Sequence, residues 1–322
     1  WEAKDVFNPA AVVKDDRVYL LYRAEDHEGK YAGTSRVGMA VSEDGLHFQT
    51  MPEPVLYPEK DEFSIYEWEG GCEDPRIVET KDGKYFLYYT SFNGKVALLS
   101  CAESTDLVHW KKHGPIFKDT LNGKYKDLWS KSGAVVCRQE GDHFYPVKLK
   151  ETYWMYWGES DIYAATSDDL IHWTPVEFLA DGADPSHSFS QHDSRCKDND
   201  EVARVLLPII RPRVGNYDEF LCEPGPQAIL TDAGIVLIYN GKGDNPERLG
   251  GHDTMYQGGQ LLIDPENPTC LIARTTRPFI SPSESFELEG QVMPTCFLEG
   301  LVSFHGRYYM YYGTADSKVA IA

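Results

Sequence analysis

Five short stretches decide the fold of this chain: VYLLYR at Val18 to Arg23, YFLYYT at Tyr85 to Thr90, YWMYWG at Tyr153 to Gly158, IVLIYN at Ile235 to Asn240 and YYMYYG at Tyr308 to Gly313. Each is an apolar, aromatic-rich run that ends in a ring, at Tyr22, Tyr89, Trp157, Tyr239 and Tyr312. β-branched and aromatic residues favour a pleated, half-buried strand. The rings are 67, 68, 82 and 73 residues apart, which is room for about four short strands and their turns in each interval. No sustained 3.6-residue period runs through these segments, and Gly, Pro or Asp-rich turns interrupt them, so helices are excluded. The repeat predicts an all-β chain, a five-bladed β-propeller forming a single domain over residues 1–322.

Three of the repeats continue alike, through SEDGLHF at Ser42 to Phe48, STDLVHW at Ser104 to Trp110 and SDDLIHW at Ser167 to Trp173. Ser and Asp there bond nearby backbone and make the turn, and the ring that follows packs between blades. His47, His109 and His172 recur at one repeat position, which points to a structural role and not to metal ligation.

The strand preceding each ring begins with polar residues and then turns apolar: FNPAAVV, CEDPRIV, WSKSGAVV, EPGPQAIL and FLEGLV. Asn8 lies 14 residues before its ring, Asp74 15, Glu223 16 and Glu299 13, while Lys131 lies 26 before because residues Gln139 to Lys150 are inserted. Equivalent blades would bring these side chains into one ring around a central channel. Three carboxylates there, Asp74, Glu223 and Glu299, are candidates for acid and base, because like charges in a cleft push their pKa values apart. Glycoside cleavage uses such a pair. The alternative is that they are strand-start residues solvated in a wide channel.

Composition narrows the partners. A formal net charge of -20 repels a phosphate backbone, which excludes nucleic acid. No apolar run is long enough to span a membrane. The seven cysteines are scattered and never spaced C-x-x-C, which speaks against a disulfide framework or zinc. His187 and His192, in the acidic stretch Asp181 to Cys196, read as a solvated loop and not as a metal site. Neither a metal nor another cofactor is expected. The glycines Gly241, Gly243, Gly250 and Gly251 belong to turns, since no helix follows them. The chain begins at Trp1, which fits a removed leader and favours a periplasmic or secreted location over the cytoplasm. A homo-oligomer is allowed but not indicated.

Taken together, FNPA at Phe7 to Ala10, YRAED at Tyr22 to Asp26, SRVGMAVSEDG at Ser35 to Gly45, CEDPRI at Cys72 to Ile77, NGKY at Asn122 to Tyr125, DLIHW at Asp169 to Trp173 and GTAD at Gly313 to Asp316 resemble glycoside hydrolase family 130, the mannoside phosphorylases and mannosidases. The resemblance runs over nearly the whole chain. It implies a five-bladed propeller acting on β-mannosides with inversion, without a metal. It further implies that Asp74 is the general acid, working through a sugar hydroxyl, and that Asn8, Arg23, Arg36 and Asp316 hold the non-reducing mannose.

The chain departs from the phosphorylase pattern where phosphate should sit. Ser130 stands at a position expected to be Arg, Thr166 at a second, and Asn240 where those enzymes have His, while Tyr256 is kept. Glu223, in place of a small residue, would repel the phosphate dianion. On that ground the sequence predicts an inverting, exo-acting β-mannosidase on β-1,2-linked manno-oligosaccharides, a glycoside hydrolase with Asp74 as acid and Glu223 as base, Glu299 being the rival base. The alternatives are a β-mannoside phosphorylase holding phosphate through Lys131, Lys126 and Tyr256, and a non-catalytic glycan-binding propeller. Crowded carboxylates beside an intact EDPR speak against the last.

Overall fold

The computed structural model describes residues 1–27, 33–179, 204–244 and 254–322. The chain is all-β, with only two four-residue α-helices among the described residues. The first sheet runs in sequence order through β1 (Asp5–Lys14), β2 (Arg17–Glu25), β3 (Arg36–Ser42) and β4 (Gln49–Thr50). The helix α1 (Ser64–Glu67) leads into a second four-stranded sheet, β5 (Gly71–Glu79), β6 (Tyr85–Phe92), β7 (Ala97–Ser104) and β8 (Lys111–Pro115).

The third group holds β9 (Ala134–Glu140), β10 (His143–Pro146), β11 (Lys148–Leu149), β12 (Thr152–Trp157), β13 (Tyr163–Ser167) and β14 (Thr174–Pro175), followed by the two-stranded sheet of β15 (Glu177–Leu179) and β16 (Arg204–Leu206). A fourth group comprises β17 (Leu221–Pro224), β18 (Ala228–Thr231), β19 (Gly234–Asp244), β20 (Thr254–Ile263) and β21 (Leu271–Arg274). After α2 (Ser285–Leu288) the chain ends in a three-stranded sheet, β22 (Cys296–Phe304), β23 (Arg307–Thr314) and β24 (Lys318–Ile321).

Five separate sheets of equal size are not what forms. A short parallel pairing of β9 with β18 joins the third and fourth groups into one 11-stranded sheet. The groups still follow one another in space: β1 packs against both β5 and β22, β5 against β10, and β19 and β20 against β22, so the last group meets the first. The inserted segment of the third group is the β9–β10 hairpin. Its tip residue Asp142 accepts hydrogen bonds from Ser303 Oγ at 2.7 Å and from the His305 amide at 3.0 Å, tying the hairpin to the last group.

The five predicted ring positions are buried, and each lies within a long strand of its group, β2, β6, β12, β19 and β23. Four are tyrosines whose hydroxyls donate to a carboxylate: Tyr22 to Glu2 at 2.7 Å, Tyr89 to Glu67 at 2.8 Å, Tyr239 to Asp218 at 2.5 Å and Tyr312 to Glu287 at 2.7 Å. Glu67, Asp218 and Glu287 each lie shortly before the strand that begins their group, so the bond fixes how that strand enters the core. The three Ser-x-Asp turns are also alike. Each Ser Oγ accepts from the amide three residues on, and each Asp accepts from the amide of its His and pairs with the His ring at the surface.

Candidate active site

The site is built at the starts of β1, β5, β17 and β22 and in the segment before β9. Three of these strands carry the same irregularity. The pairing register skips at Asn8 in β1, at Asp74 and Pro75 in β5, and at Glu299 in β22. Such bulges re-aim a side chain out of the ladder. At two of them a proline follows, Pro9 and Pro75, which has no N–H to give the ladder. Asn8 and Asp74 have positive φ, 50° and 47°, a conformation uncommon outside glycine. Local strain at these two residues is what turns their side chains toward each other.

Asp74, 3% exposed, is the centre. Its Oδ1 accepts from Asn8 Nδ2 at 2.9 Å and from Arg23 Nη1 at 3.1 Å, and its Oδ2 lies 3.3 Å from Lys131 Nζ. Arg23 also reaches Glu25 and Glu73, at 3.0 and 3.1 Å. Arg76, two residues after Asp74, donates to the carbonyl of Asp74 at 2.9 Å and crosses to the carbonyl of Pro224 at 3.1 Å, so it stitches β5 to β17. Arg76 Nη1 approaches Glu299 Oε1 to 2.6 Å, yet out of line for a hydrogen bond, and neither oxygen of Glu299 has a hydrogen-bond partner. Glu223 is fully buried and takes a hydrogen bond from Ser132.

Asp74, Glu223 and Glu299 therefore come together, and each lies in the electrostatic field of Lys131. Burial alone would raise the pKa of Asp74, but Lys131, Arg23 and Arg76 together hold it well below the usual carboxylate range. For Glu223 burial wins over Lys131 and pushes the value up to about 7. Glu299 is raised well above its ordinary value by burial, against the pull of Arg76, and Asp316 is raised by burial to about 6. Glu73 is raised too, again by burial against Arg23. The cluster thus holds one firmly ionised carboxylate among acids whose pKa values burial raises. Burial of several acids beside fewer cations forces this division.

Of the other predicted residues, Asp316 faces Arg23, Asp74 and Lys131, and Tyr256 lies near Glu223, Glu159 and Lys131. Asn240 is not free to meet a ligand: its Nδ2 donates to the Leu298 carbonyl at 3.0 Å and its Oδ1 accepts from the Leu298 amide at 2.8 Å. Ser130 is likewise structural, its hydroxyl accepting from the Leu99 amide at 3.0 Å. Arg36 lines a separate cavity of about 1170 Å³ with Trp1, Tyr57 and Trp68, and Lys126 is exposed. His187 and His192 lie outside the described residues. Sequence reasoning passed over Glu73, Arg76, Ser132 and Glu159. Arg76 and Glu73 flank Asp74 within the CEDPRI stretch and were legible there; Ser132 and Glu159 carry no sequence signal.

A family model described as beta-1,4-mannooligosaccharide phosphorylase matches residues 2–322. The 1,2-beta-oligomannan phosphorylase of Thermoanaerobacter sp. (strain X514) is 28% identical over 340 residues, covering 100% of this chain and 90% of that protein. The Beta-1,2-mannobiose phosphorylase of the same organism is 28% identical over 334 residues, with the same coverage of each. Among solved structures, one described by the statement that the "GH130 family of mannoside phosphorylases contains glycoside hydrolases that target beta-1,2 mannosidic linkages in Candida mannan" is 41% identical, with a TM-score of 0.87, covering 100% of this chain and 84% of that one.

The curated relatives overturn the prediction of a hydrolase, since those aligned along the whole chain are named phosphorylases. The physical premise behind that prediction is weaker than it looked: it took Glu223 for a fixed anion that excludes phosphate, whereas burial raises its pKa to about 7, beside the cation Lys131, so near neutrality the carboxyl is divided between protonated and ionised forms. A protonated carboxyl is a hydrogen-bond donor to an anion.

Proposed function

The chain belongs to glycoside hydrolase family 130, and from that membership and the carboxylate cluster we propose a β-mannoside phosphorylase acting on β-1,2-linked manno-oligosaccharides, one catalytic domain over residues 1–322 folded as a five-bladed propeller. Inorganic phosphate attacks the anomeric carbon of the non-reducing mannose from the face opposite the leaving group. The bond from that carbon to the glycosidic oxygen breaks, the oxygen takes up a proton supplied by Asp74 through a sugar hydroxyl, and mannose 1-phosphate and the shortened sugar leave. Asn8, Arg23 and Asp316 hold the mannose. Lys131, Tyr256 and protonated Glu223 receive the phosphate.

The observation that carries this reading is the position of Lys131, a partly buried cation 3.3 Å from Asp74 and in the field of Glu223. It supplies the point charge that phosphate binding needs. Asp74 is ionised in the free site; a neutral sugar seated against it removes water and loosens the hold of Lys131, and both changes favour a proton on Asp74. The linkage rests on the names of the full-length relatives.

The test is incubation with β-1,2-mannobiose with and without phosphate, and identification of the sugar released. Mannose 1-phosphate formed only when phosphate is present is the expected result. Free mannose released at the same rate in its absence overturns the proposal.

A further inference from the structure

We infer that Trp129, held by Glu159, is a stacking platform at the mouth of the site for the pyranose ring on the leaving side of the scissile bond; this rests on the reading of the site as one that cleaves manno-oligosaccharides.

Trp129 is 47% exposed, two residues from the partly buried Lys131. A large apolar side chain left open beside a polar site asks for a reason. The ring is nevertheless fixed. Its Nε1 donates to Glu159 Oε2 at 2.6 Å, and Phe92 meets it edge-on, with centroids 6.2 Å apart and planes at 65°. The backbone beneath it is pinned as well: the Ser130 amide donates to the Ala97 carbonyl at 2.9 Å, and the Lys131 carbonyl accepts from the Gly158 amide at 2.9 Å.

Glu159 serves both ends of this arrangement. Its other oxygen lies 3.9 Å from Lys131 Nζ, and Lys131 lies 3.3 Å from Asp74 Oδ2. The indole is thus connected to the central carboxylate through two side chains. Its one polar atom is already satisfied, so what it offers a ligand is a flat apolar face. The ligand that suits such a face beside carboxylates and cations is a pyranose, whose C–H face is apolar and whose rim is hydroxylated.

The side of the bond follows from the two oxygens of Asp74. Asn8 and Arg23 occupy Oδ1, the oxygen turned toward the residues assigned to the non-reducing mannose. Lys131, and with it Trp129, stands on the Oδ2 side. Because Lys131 is also assigned to the phosphate, this placement marks a ring on Trp129 only as one other than the mannose held at Asn8 and Arg23; in an oligosaccharide seated by its terminal mannose, every other ring lies on the leaving side of the bond.

The test uses the full chain with Asp74→Asn as a slow background, titrated calorimetrically without phosphate with mannose, β-1,2-mannobiose and β-1,2-mannotriose. Adding Trp129→Ala should weaken both oligosaccharides by roughly 10-fold, about 1.4 kcal/mol, while mannose binds as before. Trp129→Phe should recover part of the loss, and Glu159→Ala should resemble Trp129→Ala because the ring is no longer held. Unchanged mannose binding also shows that the variants are folded. Equal affinity for mannobiose with and without Trp129 overturns the platform and leaves the proposed function standing; a background that binds neither mannose nor mannobiose overturns both.

Discussion

Lys131 Nζ stands 3.3 Å from Asp74 Oδ2, although Asp74 lies in β5 and Lys131 in the segment before β9, and neither is exposed. Lys131 is the largest of the charges that keep Asp74 ionised against its burial. In Lys131→Met that charge is gone, so the pKa of Asp74 must rise. The alkaline limb of the rate profile, where the acid Asp74 loses its proton, should then move to higher pH, toward neutrality, and the KM for phosphate should increase. Measured pH profiles of kcat/KM for wild type and variant check both; an unmoved alkaline limb would show that Arg23 and Arg76 hold Asp74 without help.

Glu223 gives a second pH dependence, in phosphate binding. Its value of about 7 means it is protonated below neutrality, where it donates to phosphate, and anionic above, where it repels it. Phosphate affinity should fall as pH rises through about 7 in the wild type. Glu223→Gln removes this titration and leaves only that of phosphate itself, so the difference between the two profiles isolates the carboxyl.

Removing the acid should cost more than either change. Asp74→Asn keeps the hydrogen bond-accepting oxygen for Asn8 but cannot supply a proton, and the loss in kcat should be about 10² to 10⁴. Mannose binding should survive. A variant that retains wild-type turnover would move the acid to Glu223 or Glu299.

Asn8 is positioned by a missing side chain. A Cβ on Gly313 would collide with Asn8 Oδ1 and sit 2.9 Å from its backbone nitrogen. Gly313→Ala should therefore push Asn8 away from Asp74 and lower kcat/KM, as Asn8→Ala does. Because both act on one contact, the double variant should be little worse than Asn8→Ala alone. Additive losses in the rate measurements would show that Gly313 acts elsewhere.

A stability prediction concerns the support behind Glu223. Asp218 is fully buried and bound by Arg213 at 2.8 Å, Arg274 at 2.5 Å and the Tyr239 hydroxyl at 2.5 Å. Asp218→Ala leaves two cations facing a cavity, and breaking a buried pair from one side costs about 3 to 5 kcal/mol. Denaturant unfolding should show a loss of that size. Arg274 also touches Cys222, next to Glu223, so the variant should lose activity at denaturant concentrations where it is still folded.

Much of the framework was legible because the signal is local. An apolar run ending in a ring forms the same strand wherever it occurs, so Tyr22, Tyr89, Trp157, Tyr239 and Tyr312 could be matched by spacing alone, and the polar starts carrying Asn8, Asp74, Glu223 and Glu299 followed from them. The inserted segment at Gln139 to Lys150 was visible as a gap in that spacing. Its docking on Ser303 and His305 was not, since those partners are distant in the chain.

What the amino-acid order determined by itself was the all-β class, the repeat and the identity of the carboxylates that meet. Tertiary structure alone decided their charge and their company. Whether Glu223 repels an anion depends on the water it has lost and on Lys131, and whether Asn240 or Ser130 can meet a ligand depends on backbone groups of Leu298 and Leu99 that claim their polar atoms first. Ionisation and hydrogen bonding are set through space by neighbours from other sheets, and a linear sequence carries the neighbours' names without their distances.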